Sequence, residues 1–187
     1  MNKAQLLEAL NCVNHSREKR MEMAMLISKN THLVKPLLEI AFEDKNPISS
    51  KACWVMEFTA KENLPYLFPH MNQFTKAISL LRLDSSVRPM AKICEYLITG
   101  YFQKKDDKVR KALKEVHLEE ITSACFDWLI GDHKVATQAY SMTCLLLLGR
   151  KFDWIHPELK MILEQNYAFG SAAYKARARI TLKKIKV

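Results

Sequence analysis

Little in this chain breaks a helix. Four glycines and six prolines are scattered through 187 residues, 49% of them hydrophobic, and that balance excludes extensive disorder. The glycines at 100, 131, 149 and 170 stand alone, so there is no Gly-rich phosphate loop, and no Gly-x-Ser-x-Gly elbow is present. Gly100, Gly131 and Gly149 each follow an apolar stretch and Gly170 precedes one, a placement that predicts helix C-caps or turns. No apolar run approaches the roughly 20 residues needed to span a bilayer, and no membrane partner is expected. The five cysteines, at 12, 53, 94, 125 and 144, never form Cys-x-x-Cys. They are expected to be reduced thiols in a cytoplasmic protein, each acting as a small apolar residue. Six histidines avoid His-Glu-x-x-His and every other tight metal spacing, so neither metal nor cofactor is expected. His70 and His156 flank prolines and are expected at the surface. The start, Met1 to Glu8, reads as an amphipathic helix and not as a signal peptide.

What is present is a weak internal echo. Asp84-Ser85-Ser86-Val87-Arg88-Pro89-Met90-Ala91 and Asp132-His133-Lys134-Val135-Ala136-Thr137-Gln138-Ala139 both place an acid first, a β-branched residue three later and alanine seven later. Lys45 to Ala52 is a degraded third copy. With Ala52, Ala91 and Ala139 in register, Ile48, Val87 and Val135 fall four before, Val55, Cys94 and Met142 three after, and Phe58, Leu97 and Leu145 six after. Such columns lie on one side of a helix, and a small alanine among them permits close packing of a neighbour. Asp84 and Asp132 are candidate N-caps or near-caps.

A second marker follows. Val34-Lys35-Pro36-Leu37-Leu38, Leu67-Phe68-Pro69-His70-Met71 and Ile155-His156-Pro157-Glu158-Leu159 share an apolar-x-Pro-x-apolar pattern. Proline suits the first turn of a helix, where its missing N–H costs nothing, so each is expected to open the second helix of a pair. The Asp84 unit departs from this pattern. Its second helix, around Leu118 to Ile130, follows an insertion from Gln103 to Lys114 with six basic and two acidic residues. Insertions in repeat proteins emerge as loops or short helices on one face. From Tyr174 to Lys186 there are six basic residues and no acids, as suits a closing helix with a polar outer face. Trp54, Trp128 and Trp154 each have an acid nearby but are expected in the core.

Asp84-x-x-Val87-Arg88-x-x-Ala91 resembles the first helix of a HEAT repeat, and Val34 to Leu38 resembles the second. The resemblance covers about residues 16 to 170. It implies an all-α, right-handed α-α superhelix of the HEAT/armadillo-like repeat type. That is a single domain over 1–187, with a helix at about 1–14, units at about 16–45, 46–83, 84–131 and 132–170, and a capping helix at about 171–187. HEAT-like proteins generally bind proteins or nucleic acids, and a minority are enzymes. The chain also resembles small bacterial all-helical proteins labelled adenylosuccinate lyase. Ser85-Ser86-Val87-Arg88-Pro89 is similar to the mobile-loop signature of that superfamily, but Arg88 replaces its Met, the lysine falls late at Lys92 and the Asn is missing. Helical-repeat glycosylases for alkylated bases also set aromatic and acidic residues on a basic face, and the pairs Asp127-Trp128 and Asp153-Trp154, with the positive charge, loosely resemble that arrangement.

The expectation is therefore a non-catalytic cytoplasmic scaffold that binds a protein partner. The alternative is nucleic-acid binding of a repair type, and a second alternative is lyase-like activity. The net charge of +9 suits an anionic partner without specifying one. Candidate contacts are Arg88, Lys92, Lys104, Lys105, Lys108, Arg110, Lys111, Arg177, Lys183 and Lys184. Glu57 and Glu95 are expected in salt bridges or solvent.

Overall fold

A computed structural model describes residues 1–43 and 45–185. Asp44, Lys186 and Val187 lie outside the described residues, and with them the last cation of the C-terminal run. Among the described residues there are helices and loops and no strand. The helices are α1 (Lys3–Ala9), α2 (Arg17–Lys29), α3 (Val34–Ala41), α4 (Ser49–Glu62), α5 (Met71–Ile78), α6 (Asp84–Phe102), α7 (Asp107–Ala112), α8 (Glu115–Ile130), α9 (Val135–Leu148), α10 (Ile155–Tyr167) and α11 (Ala172–Leu182). Short 3-10 segments cover Leu10–Cys12, Thr31–Leu33 and Leu64–His70. No helix among the described residues is long and apolar enough to cross a membrane.

Helices α2, α4, α6, α9 and α11 form a row in which each packs on the next. Behind them α3 packs on α4, α8 on α5 and α9, and α10 on α9 and α11. The core lies between the two layers. Val55, Cys94 and Met142, equivalent positions on α4, α6 and α9, are each fully buried there. Ala52 and Ala91 are buried too, but Ala139 is only half-buried. The buried stripe of α9 includes Thr137, Ser141, Cys144, Leu145 and Leu148. Ala139 sits two positions from Thr137 and from Ser141, and at about 100° per residue that turns it away.

Helix starts follow local polar chemistry. Asn2 and Gln5 form a capping box on α1, and the side chains of Ser16, Asp106 and Ser171 cap α2, α7 and α11. Neither aspartate is itself an N-cap, but Asp84 is a near-cap, one residue past the cap position of α6. Asp84 is the first residue of α6, and its Oδ1 lies 2.7 Å from Nδ1 of His133, tying α6 to the loop before α9. The cap position of α9 belongs to Lys134, not Asp132. Pro36 and Pro157 lie in the first turns of α3 and α10, while Pro69 falls in the 3-10 segment just before α5.

Gly131 and Gly149 are the C-caps of α8 and α9, as expected, and Gly100 departs from that pattern. Gly100 is interior to α6, and a Cβ there would stand 3.0 Å from Cγ2 of Val109, so it makes room for α7. The basic insertion thus contains a packed helix with a buried Val109. Gly149 ends α9, and a Cβ on it would fall 2.1 Å from Cδ2 of His156. His156 is buried rather than at the surface. Its Nε2 donates to the carbonyl of Leu146 at 3.0 Å, satisfying one of the orphan acceptors at the end of α9.

Candidate functional site

The solvent side of the helix row carries a continuous polar and aromatic ribbon. Residues three, four, seven or eight apart share a helix face. That spacing puts Trp54 with Glu57 on α4, and Arg88 with Lys92, Glu95 and Tyr96 on α6. Tyr140 and Thr143 continue it on α9, Arg20 begins it on α2 and Arg177 closes it on α11.

Pro89 sets the first link. Inside α6 it has no N–H to donate to the carbonyl of Ser85, four residues earlier. The Nε1–H of Trp54 donates to that carbonyl at 2.7 Å, which fixes the indole across the α4–α6 boundary. The guanidinium of Arg20 lies 4.6 Å from the centroid of the Trp54 ring, and the His15 ring lies 5.0 Å away. Next to them Nη2 of Arg88 donates to Oε2 of Glu57 at 3.2 Å. Nζ of Lys92 lies 2.6 Å from Oε2 of Glu95, and 4.5 and 5.1 Å from the rings of Tyr140 and Tyr96. Nη2 of Arg177 donates to Oγ1 of Thr143 at 3.0 Å and lies 3.7 Å from Oε1 of Glu95. Each cation is held by a carboxylate, a hydroxyl or an aromatic face.

Burial governs the electrostatics. It pushes the Glu57 carboxyl above its ordinary value, although Arg88, Arg20, Lys92 and Lys61 all pull the other way. Burial also opposes the charge on Lys92, but Glu95 beside it holds the amine above its ordinary value. Burial lowers Arg20, with Arg88 adding to the effect. These groups form a half-desolvated line of charge, in which electrostatic attraction is stronger than at an open surface.

At the α11 end the ribbon opens into a cleft of about 640 Å³, lined by α4, α6, α9, α11 and the segment before and within α7. Lys61, Lys104, Arg177 and Lys184 line it with Glu95 and Asp106. Of the candidate contacts read from the sequence, Arg88, Lys92, Lys104, Arg177 and Lys184 therefore meet on this side. Lys105, Lys108 and Lys111 are exposed but line neither ribbon nor cleft. Arg110 is turned onto α6, where its Nε donates to the carbonyl of Tyr101 at 3.1 Å. Lys183 lines a separate hollow with Glu164, Tyr167, Arg179 and Leu182.

Arg20, Lys61, Tyr96 and Tyr140 were not singled out by the sequence. The available signal was spacing: Arg88, Lys92, Glu95 and Tyr96 all fall off the apolar columns of their helix. Glu57 and Glu95 are both salt-bridged, as expected, to Arg88 and Lys92 respectively. Ser85 and Ser86 belong to the first turn of α6, and the hydroxyl of Ser50 lies 2.7 and 2.9 Å from theirs. Trp128 is buried in the core, whereas Trp154 is 56% exposed and stacks on Phe126 with ring centroids 5.5 Å apart. Cys94 and Cys144 are held well above the ordinary thiol range by burial, which makes them poor nucleophiles. Among the described residues no cluster of histidine, cysteine or acid is arranged to hold a metal ion.

Fold and site together define an all-α protein with a pre-positioned cationic ribbon and cleft across a row of packed helices. No family model matches the chain, and neither does any curated protein or solved structure.

Proposed function

We propose that this is a HEAT-like helical stack, right-handed and cytoplasmic, whose ribbon and cleft bind nucleic acid. The observation that carries this reading is the meeting of Arg88, Lys92, Arg177, Lys104 and Lys184 on one side of the helix row. These cations come from α6, α11 and the segments that follow them, so only the packing brings them together. With Arg20 and Lys61 added, the cations outnumber Glu57, Glu95 and Asp106. Anions that bring many phosphates in a line suit such a surface better than a small ligand does.

The test is fluorescence anisotropy with a labelled oligonucleotide at several salt concentrations. Neutralising Z phosphates releases counterions with a slope of about 0.9Z for duplex DNA. About five contacts would weaken binding several hundred-fold between 50 and 200 mM salt. Failure to bind any oligonucleotide at 50 mM salt overturns the reading.

A second reading, protein docking, is favoured by a different observation. Phe126, Ile130, Trp154 and Ile162 line a shallow apolar hollow between α8 and α10, beside Glu158. Exposed aromatics of this kind are typical of protein contact sites. Co-purification of a defined polypeptide, lost on Trp154→Ala, would establish it. A protein that elutes alone and is indifferent to that substitution would remove it.

A further inference from the structure

We infer that the ribbon takes the phosphate backbone of a duplex, about one helical turn of it, without stacking on bases. The inference rests on the nucleic-acid reading and narrows its ligand.

Single strands gain much of their affinity from bases stacked on aromatic side chains, about 1–3 kcal/mol per base. The ribbon contains aromatics, but each of the rings Trp54, Tyr96 and Tyr140 is half-buried and has a cation over one face. Trp54 has the Arg20 guanidinium over its ring and His15 against it, and its N–H is bonded to Ser85. Tyr96 and Tyr140 both face the ammonium of Lys92. All three rings are half-buried. The exposed aromatics Trp154 and Phe169, at 56% and 92%, lie elsewhere, beside α8 and α10. On this face aromatic rings position cations. Half-buried and engaged in this way, these three rings are poor platforms for a base.

A surface of fixed cations with poor stacking platforms favours the ligand with the densest phosphates. A duplex carries about one charge per 1.7 Å of axis, twice the density of one strand. The dimensions agree. From α2 to α11 the row takes four interhelical steps, and at about 8–10 Å each they span roughly 32–40 Å. One turn of duplex is about 34–36 Å.

The experiment uses the full chain with a 12-base-pair DNA duplex, the RNA duplex of the same sequence, and the separate strands. At least one duplex should bind about ten-fold or more tightly than its strands, and shuffling its sequence should change affinity less than two-fold. Shortening it to 6 base pairs should roughly halve the salt slope. Tyr96→Leu should weaken duplex and strand binding by similar factors, because it loosens Lys92 and removes no stacking. Single strands that bind as tightly as duplexes, or a Tyr96→Leu loss confined to single strands, would overturn this inference and leave the nucleic-acid reading standing. Absence of binding to every probe at 50 mM salt overturns both.

Discussion

Trp54 and Trp154 occupy opposite layers of the molecule and do opposite work. On the helix row, Trp54 spends its N–H on a backbone carbonyl and its ring on Arg20, and the neighbouring tyrosines hold Lys92 in the same way. Between α8 and α10, Trp154 has one aromatic neighbour and is mostly open to solvent. One surface offers charge that aromatic rings have fixed in place. The other offers the aromatic ring itself. The lesson is that aromatic content says little about binding until the faces of each ring are accounted for.

The sharpest way to break this contrast is charge reversal. Arg88→Glu together with Lys92→Glu should weaken duplex binding by about 100-fold or more at 0.1 M salt, while Glu158→Lys beside Trp154 should leave it within about two-fold. Equal losses would show that net charge alone attracts the ligand. Next comes stability. Trp54→Ala should cost about 2–4 kcal/mol in denaturant unfolding, because it opens a packed boundary and abandons the Ser85 carbonyl. Trp154→Ala should cost less than about 1 kcal/mol. A reversal of that order would contradict the roles assigned to the two rings.

A smaller effect is expected from Glu57, which competes with a phosphate for Arg88. Glu57→Gln should tighten duplex binding about five-fold at neutral pH and steepen the salt slope by about one phosphate equivalent. An unchanged slope would mean that Arg88 does not reach the ligand.

The subtlest contrast is in pH dependence. Burial raises the Glu57 pKa, so the folded chain holds that proton more tightly than the unfolded one. Its contribution to stability is complete below about pH 4.3 and is lost as pH rises through the folded value. His117 behaves oppositely. Its Nδ1 accepts the N–H of Lys114 at 3.1 Å, and its Nε2 lies 2.5 Å from Oδ1 of Asn72, an arrangement that suits the neutral ring. Burial lowers its pKa, so its contribution is complete above about pH 6.5 and is lost as pH falls through the folded value. Melting temperatures between pH 4 and 8 should therefore separate the variants. Glu57→Gln should remove the loss on rising pH, and His117→Gln the loss on falling pH. Superimposable profiles would mean that neither group differs between the folded and unfolded states.

The helical core was legible because its signal is local. Val55, Cys94 and Met142 recur at one offset from each alanine, and Pro36 and Pro157 mark first turns by the geometry of their own rings. The site was legible only in pieces. Arg88 and Lys92 stood out as cations off the apolar columns, and Arg177 and Lys184 as members of a basic run. Their company depends on the height at which helices 30 or more residues apart pack against each other, and no local spacing reports that height. Hence Glu57 with Arg88, and Trp54 with Ser85, emerge only from the fold. The same limit explains Lys108, Arg110 and Lys111. The run that contains them is basic in sequence, but burial of Val109 against Gly100 fixes how α7 sits on α6, away from the ribbon.

Pro89 has a mechanical consequence. A helix normally satisfies its own carbonyls and can slide or rotate against a neighbour at modest cost. In α6 the carbonyl of Ser85 loses its usual intrahelical partner at Pro89, and α4 supplies an N–H that meets it. Two helices that packing alone would leave adjustable are thereby keyed to one phase, like a shaft and hub. Glu57 on α4 and Arg88 on α6, which meet across that boundary, are held in register.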